Sequence, residues 1–404
     1  ESADADEEDG ETEDGEKADD EAKATAESRR AVEVEEKPAN LYIAGNQTKD
    51  EDSPGWRIGV TGYLRTQYTS ISNEPNSNFG RYDGFVLADA RLGLIGSLDN
   101  GLGFELEIDA GNARPSEDSN TPIGEVDTRL KDGYLFYKPH PLLRVSAGQF
   151  KPPFDLEELI STSAIMFVER SVGSRGVQNI EGYNREGLSR TREVGIRIDS
   201  EPYFFLAEEG ENSGPGVSYG VAATNGQRVN RTLNDNEKLA YTGRASFHWG
   251  EWIRVGGGWY QNDKTLGVPP EQIGETRTGW TADLLAQAYG AVLFASVVQT
   301  EIDPASELQD ANTRTARAFQ AQVGWRDPWI GIGPAYRFAH FDGNIDASGD
   351  EASPAYEALT YHTIGVIADP WDYPVRFLAN YTITQEEQRE LDNNRFDAVI
   401  QLEW

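Results

Sequence analysis

Two carboxylates one residue apart, Glu105 and Glu107, are the first residues in this chain that could do chemistry. On a strand they would lie about 7 Å apart on one face, a spacing that suits paired acid and base work on a glycosidic bond. The four histidines, His140, His248, His340 and His362, stand singly, with no metal-ligand spacing between them. The absence of cysteine removes thiolate metal sites, cysteine nucleophiles and disulfides together. The run 342–350 (DGNIDASGD) is rich in oxygen ligands, but it lacks the register and terminal Glu of a calcium loop. Neither a metal nor a cofactor is expected, and catalysis is not. Three Asn-x-Thr triplets, at Asn46, Asn230 and Asn380, match a glycosylation pattern and are read as coincidence.

Arginine is the other chemically telling residue. Arg170, Arg175, Arg185, Arg190 and Arg192 cluster between 170 and 192, and Arg65, Arg91, Arg144, Arg197 and Arg244 recur through alternating segments. Arg254, Arg337 and Arg376 continue that series. Such cations could line a passage and choose its ions. Taken singly, each could equally be solvated or sit in an ion pair worth about 0–1 kcal/mol.

The elements that must position these groups are strands. In 104–110 (FELEIDA), Phe104, Leu106, Ile108 and Ala110 share one face; Glu105, Glu107 and Asp109 share the other. The same two-residue alternation predicts sixteen strands. They run at 56–68, 84–98, 102–111, 127–138, 142–150, 193–200, 216–225 and 238–249. The second eight are 252–261, 276–288, 291–301, 316–326, 329–341, 357–368, 375–384 and 395–404.

Gaps between them alternate. Asp99-Asn100-Gly101, Pro139-His140-Pro141, Gly250-Glu251, Asp327-Pro328 and 369–374 carry the residues of tight turns, whereas 70–83, 112–126, 262–275 and 342–356 are long and polar. Short turns at one end and long loops at the other are expected of an outer-membrane barrel, with the short turns periplasmic. One gap, 201–215, breaks the rhythm as a misplaced boundary or a rim insertion. Aromatics fall beside strand ends, at Trp56, Tyr137, Trp249, Trp252, Trp325, Trp329, Trp371 and Trp404. That placement suits interfacial girdles.

Charge divides the chain. The whole carries a net −33, of which residues 1–55 hold −14, from 20 Asp and Glu against 6 Lys and Arg. This acidic segment is expected to be a disordered tail, a spacer or a docking arm for periplasmic or cell-wall components. The barrel is expected over 56–404. A surface so acidic repels phosphate backbones, so no nucleic-acid partner is expected. A chain beginning at Glu1 is read as processed for export.

The largest interruption, 151–192, leaves the fifth strand as Gly148-Gln149-Phe150-Lys151-Pro152-Pro153-Phe154, with Glu157 following and Glu169-Arg170-Ser171 further on. These residues resemble the phosphate-selective porin O and P family, which carries a GQFK-x-PF-x-x-E stretch and an ERS-like element there. The resemblance implies a sixteen-stranded homotrimeric barrel in the outer-membrane lipid, with the third loop folded into the lumen as a constriction. It also implies anion selectivity from lumenal Arg and Lys. The physics of the loop agrees. About 40 residues are too many for a plain connection, and the apolar runs 156–160 and 164–168 need a surface to bury against. Two prolines would end the strand ladder and turn the chain inward.

The inward set is mixed, because Glu105, Glu107, Asp109, Asp89 and Asp397 face the same way as the arginines. Opposed cations and carboxylates suit a transverse field for small polar solutes, so phosphate specificity does not follow from resemblance. The expected function is a porin for passive diffusion of small hydrophilic solutes or ions, anions such as phosphate included. The alternatives are a surface-interaction barrel whose loops and tail bind envelope partners, and a soluble, salt-adapted β protein.

Overall fold

The computed structural model describes residues 41–45, 55–72, 83–111, 128–178, 181, 185–205, 213–227, 229–234, 236–266, 273–304, 313–347, 357–370, 374–388, 391 and 393–404. The expected tail 1–40, the segments 73–82 and 112–127 of the expected long gaps, and Trp371 lie outside the described residues.

Among the described residues, eighteen strands form one antiparallel sheet. They begin with β1 (Leu41–Gly45), β2 (Trp56–Ile71), β3 (Gly84–Leu98), β4 (Leu102–Asp109), β5 (Arg129–His140) and β6 (Leu143–Phe150). After the long loop come β7 (Glu193–Asp199), β8 (Tyr203–Phe204), β9 (Pro215–Thr224), β10 (Ala240–Trp249), β11 (Ile253–Leu266) and β12 (Ile273–Ala288). The rest are β13 (Ala291–Pro304), β14 (Arg314–Trp325), β15 (Ile332–Asp342), β16 (Leu359–Ala368), β17 (Val375–Glu386) and β18 (Arg395–Glu403). Each long strand pairs with its sequence neighbour, and β18 pairs with β2, so sixteen strands close a barrel. Closure leaves no open edge among them.

Two short strands were not expected. The first, β1, lies within the acidic segment 1–55 and pairs with β2 from Leu41↔Val60 to Gly45↔Trp56. It takes up β2's ladder just below Trp404, whose backbone bonds Gly62 in both directions at 2.9 and 3.0 Å. The second, β8, follows β7 along β9 after one extra residue, so the gap 201–215 begins as an extension of the rim. The expected turn at 327–328 is longer, because β15 starts at Ile332.

Inside and outside are exchanged relative to a soluble protein. Along β14, Ala316, Ala318, Gln320, Gln322 and Gly324 are buried, while Arg317, Phe319, Ala321, Val323 and Trp325 are exposed. Leu64, Leu106, Ile196, Val221, Phe247, Trp259, Trp280, Ile364 and Ile400 face outward. Arg65, Asp89, Arg91, Glu107, Arg244 and Asp397 are buried inside. An apolar exterior over a polar interior is stable only where lipid replaces water, which removes the soluble alternative.

Candidate functional site

The apolar residues of the segment 151–192 pack on β11–β18. Phe154 sets its ring edge-on to Tyr260 of β11 at 4.8 Å, and its carbonyl accepts from Arg244 Nη1 at 2.9 Å. A single helical turn, α1 (Leu156–Leu159), places Leu156 with Ile160 and Ile165 against Leu285 and Phe294. Ser163 reaches the C-terminal strands: its carbonyl accepts from Arg376 at 2.5 Å and Gln401 at 3.1 Å, and its hydroxyl donates to Glu403. Met166, Phe167 and Val168 then pack on Ala335, Ile367, Leu378 and Val399. A second turn, α2 (Val172–Arg175), leads Val172, Val177 and Leu188 onto Ala316, Ala318, Ala339, Phe341, Leu359 and Tyr361.

Burying a loop buries its carbonyls, and each needs a donor. Strand arginines supply many of them. Arg65 donates to the Val168 carbonyl at 2.7 Å and Arg337 to that of Glu169 at 2.8 Å. Charged donors make the stronger hydrogen bonds, so the wall holds the loop at many points.

The loop arginines are spent in the same packing. Arg170 donates to the carbonyls of Glu157 and Ile160 and pairs with Glu158 at 3.2 Å. Arg175 grips Glu181 with two bonds of 2.7 and 2.6 Å and lies 3.2 Å from Glu169. Arg185 donates to the Glu357 carbonyl, and Arg190 pairs with Glu193 while lying 5.0 Å over the Tyr260 ring. Arg192 forks onto Asp132 at 3.0 and 2.7 Å and reaches Glu107 at 3.4 Å.

The strand residues are paired as well. Arg65 meets Asp89 at 3.1 Å; Arg91 touches Asp89, Glu107 and Asp109 at 3.0, 3.3 and 3.4 Å. Arg144 and Arg197 share Asp199, each at 2.7 Å. Arg197 also lies between the rings of Tyr134 and Phe150, at 5.3 and 4.9 Å. Arg244 forks onto Asp283 with two bonds of 2.7 Å. Glu105 accepts from the Tyr134 hydroxyl at 2.5 Å, and Asp109 accepts from two backbone amides, Ala90 and Gly111.

A cavity of about 650 Å³ lies between the start of this segment and the strands β3–β7 and β9–β12. From the expected set, Arg91, Arg144, Arg192, Arg197, Arg244 and Glu105 line it; Arg65, Arg170, Arg175, Arg185, Arg190, Glu107 and Asp109 do not. Its loop side is Lys151, Pro153, Leu159, Ser161, Ser163 and Ala164. Burial, then Arg170 and Arg192, push the Lys151 ammonium well below its ordinary range. Burial raises Glu158, yet Arg170 and Lys151 outweigh it and leave this carboxyl below its usual value.

Sequence reasoning passed over several lining residues, namely Asp132, Tyr134, Asp199, His248 and Lys151. Inward parity on β5, β7 and β10 was the signal for the first four. His248 bonds Ser218 at 2.8 Å near Phe204, at the rim that β8 extends.

The model of the family described as phosphate-selective porin O and P matches residues 58–224. Over this stretch, which is less than half of its length, the chain is similar to that family. Solved porins share the fold of the whole barrel. An anion-selective porin from Comamonas acidovorans is 13% identical, with a TM-score of 0.59, and the match covers 86% of this chain and 100% of that one. The outer membrane channel DcaP of Acinetobacter baumannii is 14% identical, with a TM-score of 0.58, over 90% of this chain and 100% of that one. OmpT of Vibrio cholerae in its trimer form is 12% identical, with a TM-score of 0.54, over 86% and 99%. No curated protein matches in sequence. The chain is an outer-membrane barrel of sixteen closing strands.

Proposed function

We propose that this porin is a water-filled channel for passive diffusion of small hydrophilic solutes, and that its passage is eccentric. The loop 151–192 occupies the β11–β18 half of the lumen in this reading. Solutes then pass between its outgoing limb, 151–164, and the wall of β3–β7 and β9–β12. The observation that carries the proposal is the division of the interior. Apolar loop residues are packed on β11–β18, and a cavity of about 650 Å³ lined by paired charges lies between the start of the loop and β3–β7 and β9–β12.

Anions are the favoured solutes. Arg91, Arg144, Arg192, Arg197, Arg244 and Arg254 face the cavity, and two of these arginines share the single carboxylate of Asp199. Charges at a narrow, partly desolvated passage act more strongly than charges at an open mouth. The Comamonas relative is named as anion-selective, which fits. We propose a homotrimer on the likeness to the trimeric Vibrio protein, and a periplasmic position for the acidic tail. A channel is favoured over an enzyme by the similarity to the porin O and P family. Planar-bilayer recording in asymmetric salt tests the proposal: discrete conductance steps with a reversal potential on the anion side are expected. Absence of steps from folded protein would refute it.

A further inference from the structure

Asp155 sits where the outgoing limb of the loop passes the returning one. It is 2% exposed, and its Oδ2 lies 2.6 Å from the Ser189 hydroxyl. Its Oδ1 is buried and has no hydrogen-bond partner. A charged carboxylate so placed would be held away from water with one oxygen unsatisfied, a costly state unless a cation stands beside it.

Among the described residues, the surrounding cations are committed to other partners. On its own limb, Glu157 accepts from the Ser171 amide and hydroxyl and from Gln320 of β14. Glu158 belongs to Arg170, and Lys151 donates to the Glu158 and Ile160 carbonyls. From β10, Arg244 is committed to Asp283 of β12 and to the Phe154 carbonyl. On the returning limb Arg190 pairs with Glu193, and from β11 the Tyr260 hydroxyl shares a bond with Thr300. Three carboxylates, Glu157, Asp283 and Glu158, repel a negative charge on Asp155.

We infer that Asp155 and Ser189 form a proton-operated clasp on the loop. While Asp155 keeps its own proton, its Oδ2 accepts from the Ser189 hydroxyl and the pair joins the two limbs. Loss of that proton leaves a repelled, half-satisfied carboxylate and loosens the outgoing limb. Burial first, then Glu157, push the Asp155 carboxyl up to about 7, with the Ser189 bond opposing. An undocked carboxyl titrates near 3.8. Between these values the docked loop holds the extra proton, so docking weakens as pH rises through that window and the clasp is open above it. The clasp rests on the reading that the outgoing limb borders the passage.

The chain has no cysteine, so Ser161→Cys gives a single thiol on that limb, beside the cavity. Its reaction rate with a small membrane-impermeant thiol reagent would be followed from pH 5 to 9 in the folded barrel. The same thiol carried with Asp155→Asn corrects for thiol ionisation. The rate ratio of the first to the second protein should be near one at pH 5 and rise several-fold with a midpoint near 7. A ratio that stays at one throughout overturns the clasp. Should Asp155→Asn fail to fold, as judged by heat-modifiable gel mobility, Ser189→Ala replaces it. That variant should react fast at every pH relative to the parent at pH 5, with no step of its own beyond ordinary thiol ionisation; a step matching the parent's overturns the clasp. Labelling needs no current, so a clasp seen in a barrel that does not conduct would fault the channel reading alone.

Discussion

Arg65 of β2 and Val168 of the loop are 103 residues apart, and the guanidinium of the first donates to the carbonyl of the second at 2.7 Å. The same side chain pairs with Asp89 at 3.1 Å. One inward arginine therefore satisfies a strand carboxylate and a loop backbone group at once. A residue type that reads as pore lining is used here as a fastener.

Replacing Arg65 with Met tests that role. Removing one partner of a buried pair leaves the other uncompensated and costs about 3–5 kcal/mol. Urea unfolding followed by gel mobility should show a loss in that range, together with faster proteolysis inside 151–192. A neutral effect on both would mean that Arg65 is solvated.

The lipid face is tested at neighbouring positions. Leu106 is 42% exposed on the outside, whereas Glu105 bonds Tyr134 inside. Leu106→Arg should cost about 2–4 kcal/mol if it lies near the bilayer midplane. Glu105→Gln should fold normally and move the reversal potential toward anions. Equal folding defects would break the assigned alternation.

Ion preference should follow the cavity and not the loop cluster. Arg144→Ala with Arg197→Ala leaves Asp199 without its two cations, so reversal potentials should shift toward cations. Arg175→Ala with Arg190→Ala should leave selectivity in place and weaken loop packing instead. The reverse pattern would put the passage on the other side of the loop.

Gly176 makes the loop's return possible. Its φ is +79°, and a Cβ there would meet the Arg185 carbonyl oxygen at 2.1 Å. The two backbone bonds between Val177 and Arg185, both 3.0 Å, depend on that approach. Gly176→Ala should cost at least about 1–2 kcal/mol locally and open 177–185 to protease without unfolding the barrel. Unchanged digestion would show that the backbone can shift.

Much of the fold was legible because a barrel writes itself as local alternation. FELEIDA carries its own inside and outside, and a tight turn such as Asp99-Asn100-Gly101 names its strand ends. What escaped is non-local. Leu41–Gly45 adjoins an acidic stretch with no pattern of its own, and its strand exists because β2 offers an unpaired ladder below Trp404. The arginines of 170–192 look available in sequence because their partners come from elsewhere. Glu357 is 172 residues from Arg185, and Asp132 is 60 from Arg192. Parity tells which way a side chain points, but not what is waiting there.

The claim that the passage runs between the outgoing limb and the β3–β12 wall is open to a direct test. Ser218 lies inward on β9 and lines the cavity, on the side away from the loop packing. Ser218→Cys would be inserted in a planar bilayer and exposed to a bulky, negatively charged thiol reagent during single-channel recording. A stepwise loss of most of the conductance, absent in the cysteine-free parent, together with a shift of the reversal potential toward cations, is the predicted result. Complete labelling with unchanged conductance and reversal potential would contradict it.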